Sequence, residues 1–174
     1  ISDANIAYVF GKDNTINAVN GEGIVWNVTV NNGIGSVMAI DNENGLLYAV
    51  DQNGTLFSYD VNAEGAEVEV YNIGANATSI IVDGDSKVYV SDDVGNVWAF
   101  DSEGNLLWNV VLNAPVKAQL AMDKDGVIYA VTQNTLYAIG YRNELAIEVT
   151  VPEGEFTTMD NVTITATLNE TTEG

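Results

Sequence analysis

The chain contains no cysteine and no histidine, and those two absences remove whole classes of chemistry. Zinc sites of the Cys/His kind, cysteine or histidine nucleophile systems and a Ser–His–Asp triad cannot be built from this sequence. Without cysteine the fold must hold by packing, with no disulfide to constrain it. Basic residues are scarce: five Lys plus Arg face 25 Asp plus Glu, for a net charge of −20. Such a surface repels phosphates, which argues against nucleic acid and against an anionic membrane face. It favours a soluble, self-repelling surface, association with cations, or a basic partner. No apolar run approaches the roughly 18 residues of a membrane span, and no charged-then-apolar leader opens the chain. Ile1 therefore reads as the start of a processed or excerpted protein. There are only two prolines, and no stretch carries a useful helical period.

What is present is β-sequence, repeated. The segments IAYVF, LLYAV, KVYVS and VIYAV place Tyr8, Tyr48, Tyr89 and Tyr129 at spacings of 40, 41 and 40 residues. A second segment follows each in phase, beginning at Ile16, Leu56, Val97 and Leu136. Short alternating segments at this period indicate the blades of a β-propeller, small sheets that bury their faces only by stacking. The fold class expected is all-β: about four repeats of four-stranded antiparallel blades over residues 1–140, with a further β segment over 141–174. The strands expected in repeat three start at Lys87, Val97, Leu106 and Lys117. SVMAID from Ser36 and TSIIVD from Thr78 are the fourth strands expected in repeats one and two. Asp/Asn/Gly clusters between them supply the turns that tight hairpins need. After Gly140 the repeat landmarks stop, and Val/Ile/Thr alternation takes over. That segment reads as the start of an immunoglobulin-like module or as the outer strands of the last blade.

Repeat three carries a motif: Ala99, Asp101, Gly104 and Trp108 in the spacing A-x-D-x-x-G-x-x-x-W. It resembles the tryptophan-docking motif of the pyrroloquinoline-quinone-type (PQQ-like) propeller repeats. Repeat one holds a version one residue shorter in Ala18, Asn20, Gly23 and Trp26. Repeat two has Ser58 and Asp60 without tryptophan, and repeat four retains Ala138. The likeness covers roughly residues 5–140. It implies that Trp26 and Trp108 are structural, each docking one blade on the next. The overall style, an acidic Asn-rich propeller followed by Val/Thr-rich sequence, resembles large surface or adhesin-like proteins. The family also contains quinone-dependent dehydrogenases, but their calcium ligands, catalytic Asp and quinone-binding cations have no counterpart that can be placed here.

Two sets of residues stand out as candidate sites. Carboxylates recur at the same inter-blade turn, in Asp41 and Glu43, Asp83 and Asp85, and Asp123 and Asp125. Alternate loop carboxylates can converge on calcium, and ordinary Asx turns use the same residues without a metal. Five N-x-S/T sequons occur at Asn27, Asn53, Asn76, Asn161 and Asn169, and Asn27 should point outward because it is opposite Trp26 on its strand. Asp92 with Asp93, or Glu67 with Glu69, could act as paired carboxylates only if a pocket held them. The expected function is a non-catalytic, exported, cell-surface propeller module that acts as a binding, adhesion or structural scaffold. Its partner would be a protein or a surface glycan, or a further copy through open blade edges, with no nucleic acid and no membrane insertion. It would require no cofactor, with calcium the one candidate ion. The alternatives are a filament or surface-layer subunit assembled by strand addition, and a fragment of a quinone-dependent dehydrogenase.

Overall fold

The computed structural model describes residues 5–30, 32–140, 146–150 and 165–169. These residues form antiparallel strands and no helix. Sheet one is β1 (Ala7–Phe10), β2 (Thr15–Asn20) and β3 (Gly23–Thr29). Sheet two is β4 (Ile34–Asp41), β5 (Leu46–Asp51), β6 (Thr55–Asp60) and β7 (Ala66–Asn72). Sheet three is β8 (Ala77–Val82), β9 (Val88–Asp92), β10 (Asn96–Phe100) and β11 (Leu106–Val111). Sheet four is β12 (Ala121–Met122), β13 (Ile128–Val131), β14 (Thr135–Ile139), β15 (Ala146–Thr150) and β16 (Thr165–Asn169). Within each sheet the strands lie side by side in chain order.

The strand grouping corrects the sequence expectation. SVMAID does not close the first repeat's sheet; as β4 it opens the second, with Ala39 opposite Tyr48 and Ile40 opposite Leu47. TSIIVD likewise lies in β8 and opens sheet three, and KAQLAM keeps only Ala121–Met122 as β12 at the start of sheet four. Turn chemistry is the reason. Asp41 Oδ1 accepts the amides of Glu43 and Asn44, and Gly45 sits at φ +66°, so the chain reverses straight onto β5. The equivalent residue three before each repeat tyrosine has positive φ in all four repeats: Asn5, Gly45, Ser86 and Gly126. A hairpin turn thus sits where a crossing between blades was expected, and the crossings fall one strand earlier. Sheet one correspondingly has three strands, and no strand pairing among the described residues joins it to sheet four.

Alternation gives every sheet two apolar faces, and three cores form between successive sheets. Between sheets one and two lie Ile16, Ala18 and Trp26 against Leu47, Ala49 and Tyr59. Between two and three, Tyr48, Val50 and Leu56 meet Val88, Val90 and Phe100. Between three and four, Tyr89, Val97 and Ala99 meet Ile128, Ala130, Tyr137 and Ile139. Tyr59, Phe100 and Leu56 are wholly buried, and truncating such a side chain costs about 3–5 kcal/mol.

One cross-strand ladder recurs in these interfaces. Tyr8 is opposite Ala18, which is opposite Trp26; Tyr89, Ala99 and Trp108 repeat the arrangement. The alanine lets the outer rings lean together over it, with centroids 5.8 Å apart for Tyr8–Trp26 and 5.9 Å for Tyr89–Trp108. The Trp26 indole then reaches the next sheet and covers Gly65 in the β6–β7 turn. A Cβ on Gly65 would stand 2.8 Å from Trp26 Cζ3. In sheet two, which lacks the tryptophan, Val70 fills the same role against Gly104, where a Cβ would lie 2.9 Å from Val70 Cγ1.

Gly65→Ala should therefore cost more than its backbone conformation alone explains. Gly65 (φ +79°) and Gly126 (φ +82°) carry the same backbone penalty, but a Cβ at Gly126 meets nothing within 4 Å. Urea unfolding should show Gly126→Ala destabilised by about 1 kcal/mol and Gly65→Ala by roughly 1–3 kcal/mol more. Equal losses would mean that the indole does not dock there.

Candidate functional site

Asp83, Asp85, Asp123 and Asp125 lie in the turns that join the first two strands of sheets three and four, and they fold in one way. Asp83 Oδ1 accepts the amides of Asp85 and Lys87, while Oδ2 accepts the Tyr89 hydroxyl at 2.9 Å. Asp123 Oδ1 accepts the amides of Asp125 and Val127, and Oδ2 accepts the Tyr129 hydroxyl at 3.0 Å. Asp85 pairs with Lys87 at 2.9 Å and Asp125 with Lys124 at 2.8 Å. In sheet two Asp41 is buried and takes two amides and the Asn44 side chain. Asn44 also donates to Ser86 Oγ at 2.7 Å, tying this turn to that of sheet three, while Glu43 is exposed. Among the described residues no three carboxylates gather as a metal cage would need.

The hairpins between the last two strands of sheets one to three reach the same end. Asn20 accepts the amides of Glu22 and Gly23, Asp60 those of Asn62 and Ala63, and Asp101 those of Glu103 and Asn105. This end therefore concentrates acidic turns, with Glu22, Glu43, Glu64 and Glu103 exposed. Antiparallel order brings both turn sets to one end of a sheet, and that placement is what makes the end acidic.

At the opposite end two other aspartates act alone. Asp51 and Asp92 are 2% and 0% exposed. Asp51 accepts the amides of Asn53 and Thr55 and the Asn32 side chain. Asp92 accepts the amides of Val94, Gly95 and Asn96, the Asn96 side chain and the Trp98 indole. Asp93, its neighbour in sequence, takes the Asn76 side chain instead. Asp92 and Asp93 are thus two turn residues with separate partners, and Glu67 is exposed on the outer strand of sheet two. A shallow cleft of about 340 Å³ opens beside Asp51, lined by Ile34, Gly35, Gln52, Asn76 and Ala77.

Of the sequons, Asn27 and Asn53 are exposed, and Asn27 does point away from the buried Trp26. Asn76 is exposed and bonded to Asp93. Asn169 ends β16, and Asn161 lies outside the described residues. Within the docking motif Ala99 is buried under its ladder, Asp101 makes the hairpin, Gly104 faces Val70, and Trp108 packs on the core between sheets three and four. Sequence reasoning missed the Asp–Tyr hydroxyl bonds and the capping work of Asp51 and Asp92. Their signals were available: a six-residue Asp-to-Tyr spacing in repeats three and four, and Asp-x-x-Gly at Asp51–Gly54 and Asp92–Gly95.

No family model and no curated protein matches the chain. Solved structures do. Sqt1 of Saccharomyces cerevisiae superposes with a TM-score of 0.71 at 16% identity, over 94% of this chain and 52% of its own. U3-55K gives 0.70 at 13% identity, over 87% and 50%. The computationally designed Ika4 protein gives 0.64 at 14%, over 74% and 80%. The fold is of the β-propeller type. At these identities the likeness is one of fold alone, and the chain spans about half the length of the first two structures.

Three turn carboxylates give the fold a pH dependence. For Asp101 the Asn105 side chain, and for Asp123 the Val127 amide, hold the carboxyl below its ordinary value of 3.8. Burial opposes ionisation of Asp41, yet the bonds from Asn44, Ser86 and Glu43 prevail and lower it too. Such groups stabilise the fold above the ordinary carboxyl pKa, and that contribution disappears as pH falls through the lowered folded value. Tyrosines move the other way. Tyr129 is raised by its bond to Asp123, and Tyr48 by burial and then by the charges of Asp41 and Asp101. Their contribution is complete below the ordinary value of 10.0 and is lost above it. Asp41→Ala should lower stability by about 1–3 kcal/mol at pH 7, and the deficit should shrink as the pH falls below the ordinary carboxyl range. Urea midpoints across acidic pH check this; a deficit independent of pH would show that the ionised carboxylate is not what matters.

Proposed function

We propose that the chain is a non-catalytic binding or structural scaffold module of propeller type, displayed on an exported, cell-surface protein. One observation carries the reading: the aspartates that recur between strands are engaged in building turns, and the turns form a platform. Asp41, Asp83, Asp92, Asp101 and Asp123 each accept two or more backbone amides. A carboxylate so held is fixed in place as the builder of its turn. The repeats, in this reading, are blades of the PQQ-like tryptophan-docking kind, and Trp26 seated on Gly65 supports that. The strands after Gly140 serve as outer strands of the last blade, which accords with β15 lying antiparallel on β14 and Ala146 opposite Ile139. Export accords with the exposed acceptors Asn27 and Asn53, and the module needs no resident cofactor.

The partner this surface suits is a protein, or a glycan-bearing surface, that presents positive charge to the acidic end. Charged platforms of one sign speed encounter and select partners of the other sign. The test is to immobilise the module and present lysine-rich peptides and glycan arrays at two salt concentrations. Saturable binding that weakens with salt, and falls about tenfold or more in a Glu22→Lys/Glu43→Lys/Glu103→Lys variant, is the expected result. Binding unaffected by the triple variant would remove the acidic end from the proposal. Stoichiometric uptake of the quinone with calcium, seen as bound-cofactor absorbance, would replace the scaffold reading with the dehydrogenase one.

A further inference from the structure

Four Asn-Gly pairs occur in the chain, beginning at Asn20, Asn32, Asn44 and Asn53. Such a pair can cyclise when the glycine nitrogen attacks the asparagine side-chain carbon Cγ. Glycine favours the step because it has no Cβ to obstruct the approach. Three conditions decide which pair reacts in a folded chain. The glycine amide must be exposed and not already donating, the asparagine Nδ2 must be free to leave, and donors on Oδ1 must stabilise the oxyanion that develops at Cγ.

The fold withholds these conditions from three of the pairs. Asn32 Nδ2 is held by Asp51 at 2.9 Å, and the buried Gly33 donates its amide to the Val30 carbonyl. Asn44 Nδ2 is held by Asp41 at 2.9 Å and by Ser86 at 2.7 Å, and Gly45 is buried. Asn53 has an exposed side chain, but Gly54 is buried and donates its amide to the Asp51 carbonyl. Asn20 meets all three conditions. Both Asn20 and Gly21 are exposed, and Asn20 Oδ1 accepts the amides of Glu22 at 2.9 Å and Gly23 at 3.2 Å. Among the described residues neither the Gly21 amide nor Asn20 Nδ2 donates a hydrogen bond.

We infer that Asn20 is a self-modification site, at which water replaces the side-chain nitrogen through a succinimide closed by Gly21 N. The Gly21 N–Cγ bond forms as the amide proton passes to solvent, and the Cγ–Nδ2 bond breaks as ammonia leaves with a proton from solvent. Water then opens the ring, with no change of oxidation state. Opening at Cγ gives aspartate, whereas opening at the Asn20 carbonyl carbon gives isoaspartate, which carries the chain through the side-chain carbon. The aspartate product suits its place. Asn20 stands where repeat two has Asp60 and repeat three has Asp101, and those carboxylates accept amides of their own turns in the same way. Conversion adds a negative charge to the acidic end beside the exposed Glu22. The inference holds whether or not that end is a binding platform.

The test incubates the full chain at mildly alkaline pH, folded in buffer and unfolded in urea. Mass spectrometry follows each Asn-Gly peptide for the gain of about 1 Da, and enzymatic methylation counts isoaspartate. In the folded chain Asn20 should convert at least about tenfold faster than Asn32, Asn44 and Asn53. In urea, where all four face the same glycine neighbour without the fold, the rates should converge. Gly21→Ala should slow Asn20 on the order of tenfold to 100-fold by crowding the approach to Cγ. A Cβ at Gly21 meets nothing within 4 Å, so this variant keeps the fold. Asn20→Asp, the product itself, should melt no lower than the parent chain. Three results would overturn the inference: another pair matching Asn20 in the folded chain, the same ranking persisting in urea, or no slowing by Gly21→Ala. An Asn20→Asp chain that melts lower would overturn the fit of the product to the turn.

Discussion

A small sheet with two apolar faces cannot bury both of them by itself, and each sheet of this chain depends on its neighbours. The face-to-face burial between successive sheets is the constraint from which the remaining features follow. It demands strict alternation, because a residue slipped by one would turn a whole face outward. It demands a small residue at the middle of each ladder, so that Tyr8 and Trp26 can close over Ala18 and still reach the next sheet. It also demands glycine where the indole lands, at Gly65. The tryptophan is not irreplaceable: Val70 meets Gly104 in the neighbouring sheet and leaves part of the aromatic packing to Tyr71, 5.2 Å from Phe100 and 5.8 Å from Trp98. Shape filling at a fixed place matters more there than the identity of the ring.

The charge of the chain is compatible with this packing because the acids are kept out of the interfaces and placed in turns. A carboxylate at a strand end can accept two or three amides that a tight reversal would otherwise leave unpaired, and those bonds favour its ionised form. Asp92 is fully buried, and both of its oxygens accept hydrogen bonds, so burial leaves neither unpartnered. Asn44 and Ser86 extend the same chemistry from one sheet to the next. The acidic surface and the tight hairpins are consequences of one choice of turn residue.

Much of this was legible in the sequence because β-structure has a period of two and the repeat a period of about forty. Tyr8, Tyr48, Tyr89 and Tyr129 do occupy equivalent positions, opposite Ala18, Ser58, Ala99 and Ala138. The assignment of the fourth strand failed for a local reason. SVMAID and LLYAVD are separated by an Asx turn whose positive-φ residue is Gly45, and a tight turn marks a hairpin within one sheet. Gly33, at φ +81°, looks no less like a turn residue, yet it lies between the last strand of sheet one and the first of sheet two. Both connections are short and polar, so only hydrogen-bond partners separate them. The acidic turns were visible as a cluster, but the sequence could not say whether their oxygens faced a cation or amides. Tyr89 and Tyr129, six residues downstream, answer that for Asp83 and Asp123 by occupying the second oxygen.

A stack built from one repeated, asymmetric contact has a direction, and that direction has energetic consequences. Among the described residues, sheets two and three each contribute to two cores, whereas sheets one and four each contribute to one. Sheet one has three strands, and among the described residues its Trp26 face is the one that joins a core. Sheet four has five strands, its outer edge extended by β16 paired along β15 from Ala146 to Thr150. Added strands lengthen a sheet's hydrogen-bonded ladder but cover neither of its faces. Edge and face are separate problems in this architecture: an extra strand settles the first, and only another sheet settles the second.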